Sequence, residues 1–213
     1  MEENKMRRFT EEISKFADKP FHVYFATSNA NKFKEMQFLG RQTFSMEQHS
    51  LEIPEIQGTV QEIIEAKIEE ARKMSSVFPI LVDDTALEIS GLNGWPGPYV
   101  KEFLQSFKPD GIVELVQRAN PENMKARAIC SLGYLENREA KPIFGYGFVE
   151  GILKHRDDKI YKGFGFDPVL YPFGEGKAFG DMTMEEKGNL SHRAHALLNL
   201  CQNLVKEKGS GDS

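Results

Sequence analysis

Ile80-Leu81-Val82-Asp83-Asp84-Thr85 is the stretch that decides the fold, because an apolar run with strand character meets two adjacent carboxylates and a hydroxyl. Buried carboxylates without partners are costly, so Asp83 and Asp84 should meet water, a metal ion or a cationic side chain. Acids at the carboxyl end of a strand suit a divalent cation and, through it, phosphate groups. An exposed turn with two solvated acids is the alternative, and these six residues taken alone favour it.

The overall composition is that of a globular protein. The chain has 213 residues, of which 40% are hydrophobic and 28% charged, and its formal net charge is −5. This length allows one sizeable core or two small lobes. The negative charge argues against broad electrostatic binding to nucleic acid or to anionic membranes, and we expect neither as a partner.

Three features bear on the compartment. No apolar stretch approaches the roughly 20 residues that span a bilayer, and residues 1–20 are too charged for a secretory signal. Cys130 and Cys201 lie in apolar contexts without CxxC spacing. They predict buried, reduced thiols in a cytoplasmic protein, not a disulfide framework or a zinc site.

The pattern along the chain predicts a single α/β domain over residues 1–213, with a mixed sheet, flanking helices and two lobes around a central cleft. The predicted strands are 22–26, 43–51, 80–85, 86–89, 125–135 and 143–154. The predicted helices are 33–40, 59–74, 99–107, 110–118, 182–186 and a last helix capped by Ser191. Glycines 145, 147 and 151 suggest a twisted or bulged strand. Residues 1–19 should form an extension with a short helix, and residues 207–213 a flexible tail.

A polar loop, Thr27-Ser28-Asn29-Ala30-Asn31-Lys32, follows the first strand and leads into a helix. Free N–H groups at a helix amino terminus attract anions, although the GxxxxGK[ST] pattern of a P-loop is absent. An ordinary N-cap by Ser28 or Asn29 explains the same residues. The lysine one turn into the helix favours phosphate binding.

Two further charged residues each have two interpretations. Glu55, flanked by apolar side chains in the loop 53–58, is either a surface acid or a ligand. Lys67 borders the apolar face of the helix predicted over 59–74, where a lysine usually extends its amino group to solvent but could instead reach a phosphate. The sequence leaves both pairs of alternatives open.

Two stretches near the carboxyl end favour a flat ligand. Alternate glycines in Gly163-Phe164-Gly165-Phe166-Asp167-Pro168 expose aromatic rings that stack on heterocycles, and a carboxylate that accepts from a base N–H. A glycine-rich turn with core aromatics is the alternative. Basic residues at the start of a helix oppose its dipole, so His192 and Arg193 need a partner, such as an anionic or carbonyl-rich ligand.

Five stretches together resemble the inosine triphosphate pyrophosphatase (Ham1-like) family, in order and spacing, from about residue 21 to residue 205. They are Thr27-Ser-Asn-Ala-Asn-Lys32, Val82-Asp-Asp-Thr85, Gly94-Trp-Pro-Gly-Pro-Tyr99, Gly163-Phe-Gly-Phe-Asp-Pro168 and Ser191-His-Arg193. Each stretch alone is weak evidence for the family, whereas all five in the same order and spacing are specific for it. Phe166 stands where many relatives carry Tyr or Trp, and residues 1–19 extend beyond the family core.

The resemblance implies an enzyme that cleanses the nucleotide pool. It would hydrolyse noncanonical purine nucleoside triphosphates (ITP, dITP, XTP) to the monophosphate and pyrophosphate. It also implies dependence on Mg2+, with Mn2+ as an alternative ion, a homodimer, and an elongated sheet with two lobes around the cleft.

The resemblance further implies a role for each matching residue. Glu55 and Asp84 would place the metal ion, and Asp84 would also activate the attacking water. Beside these assignments, we interpret Asp83 as a supporting charge. The residues implied to bind the triphosphate or touch the substrate are Thr27, Ser28, Asn29, Ala30, Asn31, Lys32, Lys67, Thr85 and Lys101. Phe164 would stack on the purine, and the remaining residues implied in base recognition are Gly165, Phe166, Asp167, Lys187, His192 and Arg193.

Two other functions stay open at this stage. One is a purine nucleotide-binding or sensing module without catalysis, although binding alone does not require the set Lys32, Glu55, Lys67 and Asp84. The other is an enzyme of the same fold that acts on modified pyrimidine or methylated nucleotides. A substrate panel with identification of the products separates the three.

Overall fold

The computed structural model describes residues 21–156 and 160–209. Strands and helices alternate in the first half of the described chain, and three consecutive strands followed by two helices make up most of the second half. The strands are β1 (Phe21–Ala26), β2 (Phe44–His49), β3 (Ile80–Ile89), β4 (Pro96–Gly97), β5 (Lys125–Leu135), β6 (Ile143–Leu153) and β7 (Leu170–Pro172). The helices are α1 (Ala30–Gly40), α2 (Val60–Met74), α3 (Val100–Ala119), α4 (Met184–Leu190) and α5 (His192–Gly209), with 3-10 turns at Ser90–Leu92 and Phe179–Asp181.

The seven strands form one mixed sheet in the order β2-β1-β3-β5-β6-β7, with β4 paired to β3. β1 runs parallel to β2 and to β3, whereas β3 pairs antiparallel with β4, and β6 antiparallel with β7. This sheet and the five helices of the described residues confirm the predicted α/β class.

β3 does not end at its two acids. It continues to Ile89, so the prediction that a strand closes on Asp83 and Asp84 is wrong. What ends there is the parallel pairing, because Val82 is the last β3 residue opposite β1, and the antiparallel partner β4 begins to pair at Leu87. The predicted strand 86–89 is therefore the second half of β3.

The chain divides into two compact units. Within the described residues, unit 1 comprises 21–84, 130–147 and 188–209, and unit 2 comprises 85–129, 148–156 and 160–187. The prediction of a single domain with two lobes around a cleft stays a prediction.

Unit 1 buries apolar side chains on both faces of its strands. On one face, Phe25 and Leu81 pack with Met36 of α1 and with residues of α5. On the other face, Val82 packs with Ile64 and Ile68 of α2. The amphipathic pattern predicted for α2 is confirmed, and Thr59 begins that helix with a capping box to Glu62.

Unit 2 contains the broken helix α3. Its span, Val100–Ala119, is interrupted at Lys108, where φ is 58° and ψ is 167°, directly before Pro109. A proline disfavours helical backbone in the residue that precedes it. Two short helices on either side of Lys108-Pro109 were the prediction, and the break confirms them.

The glycines of β6 have a packing role. A Cβ on Gly147 would lie 2.1 Å from the backbone nitrogen of Ala196 and 2.4 Å from the carbonyl oxygen of His192, both in α5. Glycine thus lets α5 lie directly on the strand. β6 is one strand from Ile143 to Leu153, and close approach of the helix explains the glycine that suggested a bulge.

Several boundaries differ from the prediction. α4 begins and ends later than the predicted 182–186, and α5 continues to Gly209, into the segment predicted as a tail. The predicted extension and the end of the predicted tail lie outside the described residues. Among the helices of the described ranges, none combines the length and apolar character needed to cross a membrane.

Candidate functional site

Asp83 and Asp84 point to opposite faces of the sheet, because side chains alternate along a strand. Asp83 shares the face of Leu81, on which α1 and α5 pack, and Asp84 shares the face of Val82, on which α2 packs. Both acids are buried. The alternative of an exposed turn with solvated acids is therefore wrong.

Asp84 lies in a cluster with Lys67 and Glu55. The Lys67 Nζ atom is 2.6 Å from Asp84 Oδ1 and 3.1 Å from Glu55 Oε1, and it also donates to the carbonyl oxygen of Asp83 at 3.4 Å. Lys67 is buried, whereas about half of the Glu55 side chain is exposed. The lysine thus turns inward to two carboxylates, and the alternative that its amino group extends to solvent is wrong.

The charges of this cluster follow from burial and proximity. Burial raises the pKa of Asp84, and Lys67 offsets only part of that effect, so the pKa stays above its ordinary value. Burial alone would lower the pKa of Lys67, but Asp84, Asp83 and Glu55 together outweigh it, Asp84 most of all, and the pKa is raised. Asp84 Oδ2 is buried without a hydrogen-bond partner among the described residues.

Asp83 lies in a second cluster on the opposite face. Its Oδ2 atom is 3.0 Å from Lys32 Nζ and 3.7 Å from Arg193 Nη2, and Arg193 Nη1 donates to Glu35 Oε2 at 2.7 Å. Burial would raise the pKa of Asp83, but Lys32 and Arg193 outweigh it and lower that pKa. Arg193, 1% exposed, therefore has two internal carboxylate partners at the start of α5.

Among the residues that the structure describes, the two clusters together contain more acids than cations. Four carboxylates (Glu35, Glu55, Asp83, Asp84) face three cationic groups (Lys32, Lys67, Arg193). In 21–156 and 160–209, no three His, Cys, Asp or Glu side chains converge as a complete metal site. Mg2+ commonly binds through one or two carboxylates and takes its other ligands from water and phosphate. The carboxylates of Glu55 and Asp84 fit that requirement.

The loop before α1 forms a helix cap. Asn29 Oδ1 accepts from the backbone N–H groups of Asn31 at 3.0 Å and Lys32 at 3.2 Å, and Thr27 Oγ1 accepts from the N–H of Asn29. The N-cap interpretation is confirmed for Asn29. Phosphate binding by residues 27–32 stays a prediction, although Ser28, Ala30 and Asn31 are exposed.

Unit 2 holds a buried cation among aromatic rings. Lys187 Nζ lies 2.8 Å from Asp167 Oδ2, 4.8 Å from the Phe164 ring centroid and 5.3 Å from that of Phe179. Asp167 Oδ2 also accepts from the Phe164 N–H. Phe164 is half-buried and Gly165 exposed, whereas Phe166 is buried. Of the two aromatics, Phe164 is the more accessible one, and the base contacts predicted for both stay predictions.

The remaining predicted residues occupy varied settings. Thr85 is half-buried in β3, Lys101 is exposed in the first turn of α3, and His192 is buried at the start of α5. Their contacts with a substrate stay predictions.

Sequence reasoning missed Glu35, Phe179 and the ion pair of Arg156 with Asp181. Glu35 could have been found, because it lies three residues after Lys32 and so on the same face of α1. No local signal marks Phe179, and none marks Arg156 and Asp181, which are 25 positions apart.

The chain is similar to known proteins along most of its length. The sequence profile of the Ham1 family matches residues 23–203. An inosine triphosphate pyrophosphatase of Emericella nidulans is 34% identical over 185 residues, which are 87% of this chain and 97% of that protein. One of Schizosaccharomyces pombe is 35% identical over 188 residues, 87% of this chain and 96% of that protein.

A solved structure has the same fold. The HAM1 protein of Coxiella burnetii superposes with a TM-score of 0.71 at 26% identity, over 87% of this chain and 99% of that one. Sequence and structure thus agree with the five motifs, and the chain belongs to the Ham1 family.

Proposed function

We propose that this protein hydrolyses noncanonical purine nucleoside triphosphates, namely ITP, dITP and XTP, to the monophosphate and pyrophosphate. The observation that carries the proposal is the buried cluster of Lys67 with Asp84 and Glu55. Relatives at about one-third identity bear the name inosine triphosphate pyrophosphatase, which supports the same activity here.

Glu55 and Asp84 would hold Mg2+, with Mn2+ as an alternative ion. When bound, the ion supplies positive charge that neutralises the triphosphate and stabilises the charge that develops on its oxygens. Oxygen donors and an excess of carboxylates over cations support a hard divalent ion at this place.

Asp84 would act as the general base. Its Oδ1 atom is bound to Lys67, so Oδ2 is the oxygen available to the proton of an attacking water. The raised pKa of Asp84 makes it a stronger base than an exposed aspartate. The water oxygen forms a bond to the α phosphorus as its proton passes to Asp84. The phosphoanhydride bond between the α and β phosphates breaks, and pyrophosphate leaves.

Lys32 and Lys67 would position the phosphates together with the loop 27–31 and Lys101. Both ammonium groups are held by buried carboxylates, which fixes where their remaining N–H groups point. A polyanion bound there meets cations whose positions do not have to be reorganised.

Base recognition would rest on hydrogen-bond donors. Hypoxanthine and xanthine present a 6-oxo acceptor, and adenine presents a 6-amino donor. Lys187, His192 and Arg193 would donate to the oxo group while Phe164 stacks on the ring. A donor left unpaired against adenine costs about 1–3 kcal/mol. Arg193 can serve Glu35 and a base together, because a guanidinium has five N–H donors.

We also propose a homodimer in the cytoplasm. Trp95 is 51% exposed and stacks on Tyr99 with ring centroids 5.7 Å apart, which supports an aromatic contact with a second copy. Two buried free cysteines suit a reducing compartment. Light scattering at micromolar concentration tests the dimer, and a monomer mass would contradict it.

The activity is tested with purified protein and Mg2+ on ITP, dITP, XTP, GTP and ATP, with identification of every product. We expect pyrophosphate and the monophosphate, with ITP, dITP and XTP cleaved much faster than ATP. Release of single phosphates, or equal rates on ITP and ATP, would contradict the proposal. Tight binding of ITP without cleavage would identify a binding module instead.

A further inference from the structure

Arg156 and Asp181 form a two-point ion pair in unit 2. Arg156 Nη1 lies 2.5 Å from Asp181 Oδ2, and Nη2 donates to Asp181 Oδ1 at 3.0 Å. The Arg156 side chain is 6% exposed and that of Asp181 26%. Two parallel bonds between a guanidinium and a carboxylate fix direction as well as distance. The pair therefore sets the position of the backbone that carries Asp181.

That backbone is the 3-10 turn Phe179–Asp181, which is joined to the Gly163–Asp167 loop. The N–H of Gly180 donates to the carbonyl oxygen of Asp167 at 2.9 Å. A Cβ on Gly180 would lie 2.1 Å from the Lys162 carbonyl oxygen. The two segments are in direct backbone contact, so a shift of the turn must move the loop or break the hydrogen bond.

The same turn forms a wall of the Lys187 site. Phe179 is the first residue of the turn, and its ring centroid lies 5.3 Å from Lys187 Nζ. The Phe164 ring centroid lies 4.8 Å from the same atom. Asp167 binds that ammonium at 2.8 Å. The position of Lys187 thus depends on two segments that the Gly180 to Asp167 hydrogen bond joins, and the Arg156 to Asp181 pair fixes the first of them.

We propose that Arg156 and Asp181 are positioning residues for purine recognition, which set the place of the Lys187 ammonium and the Phe164 ring without touching the base. This inference rests on the proposed function, because it assigns a role in reading the 6-oxo edge. A buried ion pair is poor evidence for stability in itself. Its two-point geometry and its attachment to the Lys187 site favour a role in specificity.

The test compares Arg156→Met, Arg156→Lys and Arg127→Met with the unaltered protein. Arg127 is the matched control, since it also pairs with an acid of unit 2, Glu150, at 2.7 Å. For each protein, kcat and KM are measured on ITP and on ATP, with the melting temperature alongside. The affinity for inosine monophosphate is measured by calorimetry, which does not depend on turnover.

We expect Arg156→Met to raise KM for ITP about tenfold with kcat changed less than threefold, and to lower the ITP-to-ATP ratio of kcat/KM. Affinity for inosine monophosphate should fall by about the same factor. Arg156→Lys should restore part of the loss, and Arg127→Met should change neither KM nor the ratio.

Three outcomes would overturn the inference. The first is a lower melting temperature of Arg156→Met with an unchanged KM and ratio. The second is a decrease in kcat of Arg156→Met that is equal for ITP and ATP, with KM unchanged. The third is unaltered affinity of the variant for inosine monophosphate. If the unaltered protein binds inosine monophosphate but releases no pyrophosphate from ITP, the proposed function fails while the calorimetry still decides the role of Arg156.

Discussion

The ammonium of Lys67 lies 2.6 Å from Asp84 Oδ1, and both side chains are buried in unit 1. The lysine binds one oxygen of the acid, and the other oxygen is buried with no hydrogen-bond partner in residues 21–156 and 160–209. An ion pair that served stability alone would gain from satisfying both oxygens. The half-satisfied carboxylate is the strongest single reason to assign chemistry to this place.

Replacement of Asp84 by asparagine should remove turnover of ITP. The amide keeps the shape but cannot accept the proton of the attacking water, and general-base catalysis is worth about 10²–10⁴ in rate. The measurement is kcat with ITP and Mg2+, with circular dichroism and melting temperature as controls for the fold. Retention of more than a tenth of the activity by a folded variant would remove Asp84 from the mechanism.

Replacement of Glu55 by glutamine should weaken metal dependence without loss of stability. About half of the Glu55 side chain is exposed, so the fold loses little. We expect the Mg2+ concentration for half-maximal activity to rise at least about tenfold, because loss of even a group that only supports a metal ligand costs about 10–100-fold in affinity. Glu52→Gln, an exposed acid of the same loop, is the matched control and should leave the Mg2+ dependence unchanged. Equal behaviour of the two variants would exclude Glu55 as a ligand.

Asp83 should make stability depend on pH at the acid end. Its folded pKa is lowered by Lys32 and Arg193 in spite of burial, so its ionised form contributes stability above the unfolded pKa, about 4. That contribution is lost as pH falls through the folded value.

The measurement is the free energy of unfolding in urea between pH 7 and pH 3, without metal. Asp83→Asn should be less stable at pH 7 by about 3–5 kcal/mol, because the buried cations lose a partner, and its stability should fall less steeply below pH 4. The exposed-acid variant Glu122→Gln should keep the original slope. If the free energy of unfolding of Asp83→Asn fell with pH as steeply as that of the unaltered protein, the lowered pKa assigned to Asp83 would be contradicted.

Replacement of Gly147 by alanine should destabilise unit 1. The added methyl group would lie 2.1 Å from a backbone atom of α5, which cannot rotate away as a side chain can. We expect a loss at or above the upper end of the about 1–3 kcal/mol that is typical of overpacking.

Gly176→Ala is the matched control, since a Cβ at Gly176 meets nothing within 4 Å. Urea unfolding of both variants decides the matter. Equal stability of the two would show that α5 does not depend on close contact with β6.

Local patterns predicted most of the secondary structure. α2 was predictable because Thr59 caps it and because its apolar residues recur at helical spacing. The break in α3 was predictable from Pro109. The continuation of β3 past its acids was not, because only distant residues make it possible for Asp83 and Asp84 to stay buried in an extended strand.

The candidate site was predictable in its residues and not in its contacts. Lys32, Lys67 and Arg193 were singled out one by one, but their pairing with Asp83 and Asp84 depends on which face of the sheet each helix covers. Arg193 illustrates the limit. Helix polarity indicated that it needs a partner, and the buried Glu35 that supplies one is 158 positions away in the chain.

The alternation of Asp83 and Asp84 constrains how β3 can change in evolution. A strand has a side-chain period of two, so insertion or deletion of one residue between Ile80 and Asp83 would exchange the faces of the two acids. Asp83 would then meet Lys67, and Asp84 would meet Lys32 and Arg193. The segment from Ile80 to Asp84 should therefore tolerate substitutions of its apolar residues far better than any change in its length.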